Sequence, residues 1–164
     1  MPLIRKFADD SSGSVVLRWC FNVSADRLWN VLTGCQTLPL WLGTHRAGNL
    51  AVGSTVKIEH AEGNICESLI ERIDPATALE MSWKFPEESE SKVSWILRSV
   101  PIGAELVLTH SNISVDVATY LAGWETHLTY LESVLLGAPR SMDQFWDLYR
   151  EIYESLGDSP VPLP

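Results

Sequence analysis

Between residues 54 and 111 the chain alternates apolar and polar residues in five short runs, the pattern of strands that bury one face. The runs are STVKIEHA (54–61), ICESLIERI (65–73), ALEMSWKF (78–85), KVSWILRSV (92–100) and AELVLTHS (104–111). Successive strand side chains point to opposite faces. Leu79, Met81, Trp83 and Phe85 therefore share a face, as do Val93, Trp95 and Leu97, and Leu106, Leu108 and His110. Turn residues separate the runs: Gly63-Asn64, Asp74-Pro75, Pro86-Glu87-Glu88 and Pro101-Ile102-Gly103. Connections this short join antiparallel neighbours.

A sheet with one apolar face needs a cover. The stretch YLAGWETHLTYLESVLLG (120–137) provides one. Leu121, Trp124, Leu128, Leu131 and Leu135 recur three and four residues apart, on one face of a helix. Ser114 is the expected N-cap, Leu136 the expected last residue and Gly137 the stop. At 1.5 Å per residue such a helix is about 34 Å long, enough to cross a sheet completely. Gly123 and His127 lie on its flank, where the glycine is expected to let another element approach closely.

The earlier chain reads as a strand, SVVLRWCF (14–21), and a short helix from Ser24 to Gly34 with Leu28, Trp29 and Leu32 on its apolar face. An apolar loop or single helical turn, QTLPLWLG (36–43), follows. After Pro139, Ser141 and Gln144 fit a capping box. Met142, Phe145, Trp146, Tyr149, Ile152, Tyr153 and Leu156 then keep helical period. So short a helix is marginal alone. It is expected to dock on the flank of the long helix at Gly123, His127 and Tyr130. The alternative is a two-fold homodimer through residues 141–156. The tail SPVPLP (159–164) reads as irregular.

With a net charge of −9 and no basic stripe, neither nucleic acid nor an anionic membrane is an expected partner. Three cysteines without a C-x-x-C pair, no signal peptide and no long apolar run point to the cytoplasm.

The ordered set RLWNVLT (27–33), LWLG (40–43), Gly53 before a strand, IDPATALEMSW (73–83), LTHS (108–111) and AGWETHLTYLESVL (122–135) resembles the START-like (SRPBCC) superfamily. More closely, it is similar to the activator of heat-shock-protein-90 ATPase-like family, as a bacterial-type single-domain member. The resemblance spans residues 14–137. It implies an α+β helix-grip fold: a curved antiparallel sheet wrapped around a long C-terminal helix, with a cavity between them. Residues 1–137 would form this domain and 138–164 a helical extension, packed on the domain or at a dimer interface. Co-chaperones of the family carry a second, client-binding domain, for which 164 residues leave no room.

The expected function is binding of a small hydrophobic ligand, lipid-like or aromatic. Trp29, Trp41, Met81, Trp83, Trp95, Leu108, His110, Trp124 and His127 are the candidate contacts. His110, Trp124 and His127 would make a polar corner of the cavity. In the blander reading His110 bonds backbone near the helix start and Trp124 simply packs. A protein-interaction adaptor related to the co-chaperones is the second reading, and a cyclase-like enzyme on a hydrophobic substrate the third. Glu59, Glu67, Glu71 and Glu80 are the candidate bases for such an enzyme, and most should face solvent. His45, His60, His110 and His127 lack metal-ligand spacing, so no metal or cofactor is expected.

Overall fold

The computed structural model describes residues 3–60 and 63–158. An eight-stranded antiparallel sheet runs in the order β1-β2-β8-β7-β6-β5-β4-β3. Its strands are β1 (Leu3–Asp9), β2 (Ser14–Phe21), β3 (Thr44–Ala47), β4 (Thr55–Glu59), β5 (Ile65–Asp74), β6 (Ala78–Trp83), β7 (Ser91–Ser99) and β8 (Ala104–Ser111). Four helices accompany it: α1 (Ala25–Thr33), α2 (Leu38–Trp41), α3 (Val117–Leu135) and α4 (Phe145–Asp158). This is the helix-grip architecture, a curved sheet closed by one long helix.

Register explains which strand residues are buried. Val15, His110, Val93 and Met81 lie side by side across β2, β8, β7 and β6. Leu17, Leu108, Trp95 and Leu79 form the next row. All eight side chains are buried. β1 and β3 are the two edge strands and carry no clear alternation, so backbone pairing rather than a hydrophobic face holds them. Neither is among the expected strands. The strand expected over 54–61 is formed over Thr55–Glu59, while Ala61 lies outside the described residues, as does the tail 159–164.

The expected cap Ser114 is not the cap. The Ile113 N–H donates to the Gly13 carbonyl, which ties the chain just before Ser114 to the β1–β2 turn. Asp116 caps α3 instead, its Oδ1 accepting the Ala118 N–H at 3.1 Å. With 19 residues, α3 is about 28 Å long. It runs closest to β1 and β2, while α1 approaches β7 and β8, so two helices share the cover.

At its C-terminus Gly137 takes φ +74°, the Gly137 N–H donates to Val134 O, and the Ala138 N–H donates to Ser133 O. This left-handed stop turns the chain back along α3. Ser141 then opens a 3-10 turn, its Oγ accepting the Asp143 N–H at 3.3 Å. Ser141 is an N-cap, but the expected capping box does not form: its Oγ meets the Asp143 N–H, and Gln144 bonds back to the Ser141 carbonyl through its backbone N–H rather than its side chain. α4 packs along α3, with Phe145 buried against Tyr130 and the Tyr130 hydroxyl donating to Ser141 O at 2.7 Å.

Leu128 is fully buried at the centre of the α3 face. Leu128→Ala should lower stability by about 2–5 kcal/mol, read from urea denaturation. A loss below about 1 kcal/mol would show that this face is not the packed centre.

Candidate functional site

A cleft of about 690 Å³ opens beside α3, bounded by α2, α4, the ends of β4 and β6, and the 85–88 turn. Its walls are aromatic: Trp83, Phe85, Trp124, Phe145, Trp146 and Tyr149 all line it. Trp83 and Trp124 pack with ring centroids 5.1 Å apart. Trp146 stays 54% exposed at the mouth.

Gly123 lines the cleft too, and a Cβ built there would meet nothing within 4 Å. The expected close approach of α4 to Gly123 therefore does not occur. The missing side chain widens the cleft.

A second, smaller chamber of about 150 Å³ lies between α1, α2 and β4–β7. Met81 and Trp95 line it, together with Ile58, Ile70 and Leu79. Leu42 and Trp83 line both spaces and stand as the partition between them.

Of the nine candidate contacts, Trp83, Trp124 and His127 face the cleft, and Met81, Trp83 and Trp95 face the small chamber. Trp29, Trp41, Leu108 and His110 line neither. Trp29 is held on the buried side of α1, and Leu108 and His110 sit mid-sheet. Trp41 is wedged against Trp95, with centroids 5.6 Å apart.

His110 belongs to a closed internal relay, so neither expectation for it holds. The Trp124 indole N–H donates to His110 Nδ1 at 3.0 Å. That fixes the proton on Nε2, which donates to Ser91 Oγ at 2.7 Å. Ser91 in turn donates to the Trp83 carbonyl at 3.1 Å. The relay fixes the Trp124 indole and ties it to the Trp83 backbone.

His127 and His60 are the polar groups of the cleft floor, with ring centroids 5.8 Å apart. His127 Nδ1 donates to the Trp41 carbonyl at 2.7 Å, leaving Nε2 as a lone-pair acceptor. Its ring packs 4.7 Å from Phe145. His60 is a cleft residue outside the candidate set. Val56 and Ile58 point inward on β4, and the same alternation carried one step further reaches His60. Its Nε2 is enclosed and has no hydrogen-bond partner among the described residues.

At the rim the Tyr120 hydroxyl donates to Glu88. Burial and the Glu88 carboxylate push the Tyr120 phenol far above its ordinary value. Glu59 reaches the cleft but is paired with Arg46. Glu67, Glu71 and Glu80 pair with Lys57, Lys92 and Arg72 away from it. Among the described residues no three His, Cys, Asp or Glu side chains gather as a metal site would require.

Three comparisons place this geometry. The family model for activator of Hsp90 ATPase homolog 1-like proteins matches residues 22–136. The chain belongs to this family. The match ends with α3, so the 3-10 turn and α4 of this Hsp90-activator-like chain lie beyond it. No functionally curated protein matches significantly. Among solved structures, CalU16 from Micromonospora echinospora is 22% identical at a TM-score of 0.75, over 94% of this chain and 93% of its own. DynU16, from the dynemicin biosynthetic locus, is 20% identical at a TM-score of 0.71, over 77% of this chain and 49% of its own. CV1439 from Chromobacterium violaceum is 16% identical at a TM-score of 0.68, over 74% of this chain and 96% of its own. At these identities the likeness is one of fold.

Burial holds three imidazoles neutral. His110 is lowered to about 3 and His127 to about 4 by burial, and His60 to about 3 by burial and by His127 beside it. In the unfolded chain they titrate near 6.5. Between pH 6.5 and about 4 the unfolded state thus binds more protons, and stability falls as pH drops. Each histidine contributes up to about 1.4 kcal/mol per pH unit to that slope. Urea midpoints should therefore fall steeply from pH 6.5 to 4. His110→Phe should start about 1–3 kcal/mol less stable, through the orphaned Trp124 N–H, and fall less steeply. Midpoints flat across the window would show that the imidazoles titrate normally.

Proposed function

We propose that this chain is a binding protein for one small hydrophobic molecule, aromatic rather than long-chain, held in the cleft beside α3. The observation that carries the reading is a cleft of about 690 Å³ with an aromatic lining. That volume lies within the range of small-molecule sites, which are mostly apolar with a few placed polar groups. Trp83, Trp124 and His127 remain proposed contacts, with His60, Phe85 and Phe145 added; Met81 and Trp95 serve the smaller chamber. A cytoplasmic setting fits three free cysteines, one of them, Cys66, buried with its thiol pushed up to about 12. No described helix is long and apolar enough to cross a membrane.

The adaptor reading draws on Trp146 and Tyr153, which leave 54% and 40% of their surface exposed on α4. Trp146 also lines the cleft mouth, so its exposure fits ligand entry equally well. The cyclase reading has the weakest support. His110 is locked in its relay, and three of the four candidate carboxylates are in ion pairs outside the cleft.

Nile red, a neutral fluorophore, should bind one-to-one and quench tryptophan emission. Gly123→Leu should weaken it at least about tenfold by filling the cleft. Gly123→Ala should raise stability by about 0.5–1 kcal/mol, since glycine costs that much inside a helix. Equal Nile red affinity in wild type and Gly123→Leu would remove the cleft as the binding site.

A further inference from the structure

Most donors around the cleft floor are already used within the protein, and the Trp83 N–H, enclosed where that ring packs on Trp124, has no partner among the described residues and is turned away from solvent. The Trp124 N–H goes to His110, the Tyr120 O–H to Glu88, and the His127 Nδ1–H to the Trp41 carbonyl. What the floor offers a ligand is therefore an acceptor, His127 Nε2. His60 Nε2 lies enclosed in the neighbouring ring, and a turn of that ring would bring a second nitrogen to the same place. Charge points the same way. Glu59, Glu87 and Glu88 line the cleft, and no lysine or arginine does. Arg46 offsets Glu59 alone.

We propose that the cleft selects a neutral aromatic molecule that donates a hydrogen bond, a phenol or an aryl N–H, to His127 Nε2, and that it rejects carboxylates and phosphates. This rests on the binding reading above and narrows it. A flat ring fills the space between the Trp83–Trp124 pair and Phe145. Its O–H or N–H meets an imidazole that the Trp41 carbonyl has fixed in orientation and tautomer. An anionic headgroup meets no cation there and, at the rim, two carboxylates, Glu87 and Glu88, without an ion-pair partner among the described residues. Fatty acids and phosphorylated lipids are accordingly the wrong class.

Three probes of one shape test this: 2-naphthol, 2-methylnaphthalene and 2-naphthoate, titrated calorimetrically at pH 7. One neutral hydrogen bond corresponds to about a 3–10-fold preference. 2-Naphthol should bind that much tighter than 2-methylnaphthalene, and 2-naphthoate should bind weakest. His127→Phe should erase the preference while keeping 2-methylnaphthalene binding. In the wild-type protein the His127 Nε2 nitrogen-15 resonance should move with 2-naphthol and not with 2-methylnaphthalene, which decides the matter even if His127→Phe does not fold. Equal affinity for the first two probes, tight binding of 2-naphthoate, or a preference surviving His127→Phe would each overturn the hydrogen-bond assignment and leave the binding reading standing. Binding of none of the three would overturn both.

Discussion

An antiparallel sheet with one apolar face must be covered, and in this chain the cover is uneven. α3 lies closest to β1 and β2, and α1 serves β7 and β8. Over the β4–β6 half, α2 and the residues after it face the sheet across the smaller chamber, and α4 packs along α3. Where these short elements fail to fill the space, the cleft remains. The cleft is thus a product of how one 19-residue helix sits on an eight-stranded curved sheet.

The polar groups near this gap differ in how fully they are paired within the protein. The Trp124–His110–Ser91–Trp83 chain satisfies one imidazole completely, at separations of 2.7–3.1 Å. A buried polar group without a partner costs about 1–3 kcal/mol, so a closed relay stabilises the wall where a broken one would weaken it. His127 has only one of its two nitrogens satisfied. That difference between two histidines on neighbouring elements separates a structural group from one available to a ligand.

Much of the fold was legible because burial has a period. Alternation revealed β2 and β4–β8, and the three-four spacing revealed α3. The edge strands β1 and β3 were hidden because their positions depend on hydrogen bonds to one neighbour, which leave no side-chain pattern. Caps were legible as residue types but not as positions: Asp116 is as good a cap as Ser114, and the Ile113–Gly13 bond, between residues a hundred positions apart, decided between them. The site was harder to read. His110 and Leu108 share parity with inward residues, yet on β8, flanked by β2 and β7, inward means core, whereas just past the end of β4, beside the edge strand β3, inward means cleft, as for His60. Gly123 shows the same limit, since a sequence does not reveal whether a missing side chain admits a neighbour or leaves room.

Leu42 and Trp83 border both interior spaces. These two side chains form a wall between the spaces, and each belongs to a different element: Leu42 follows α2, Trp83 ends β6. The backbone need not move for that wall to be redrawn. A single truncation at Leu42 would lengthen the space available to an occupant, and a bulkier residue there would shorten it. Relatives of one fold can therefore diverge in the length of molecule they accommodate through one side-chain position, with the grip of sheet on helix untouched.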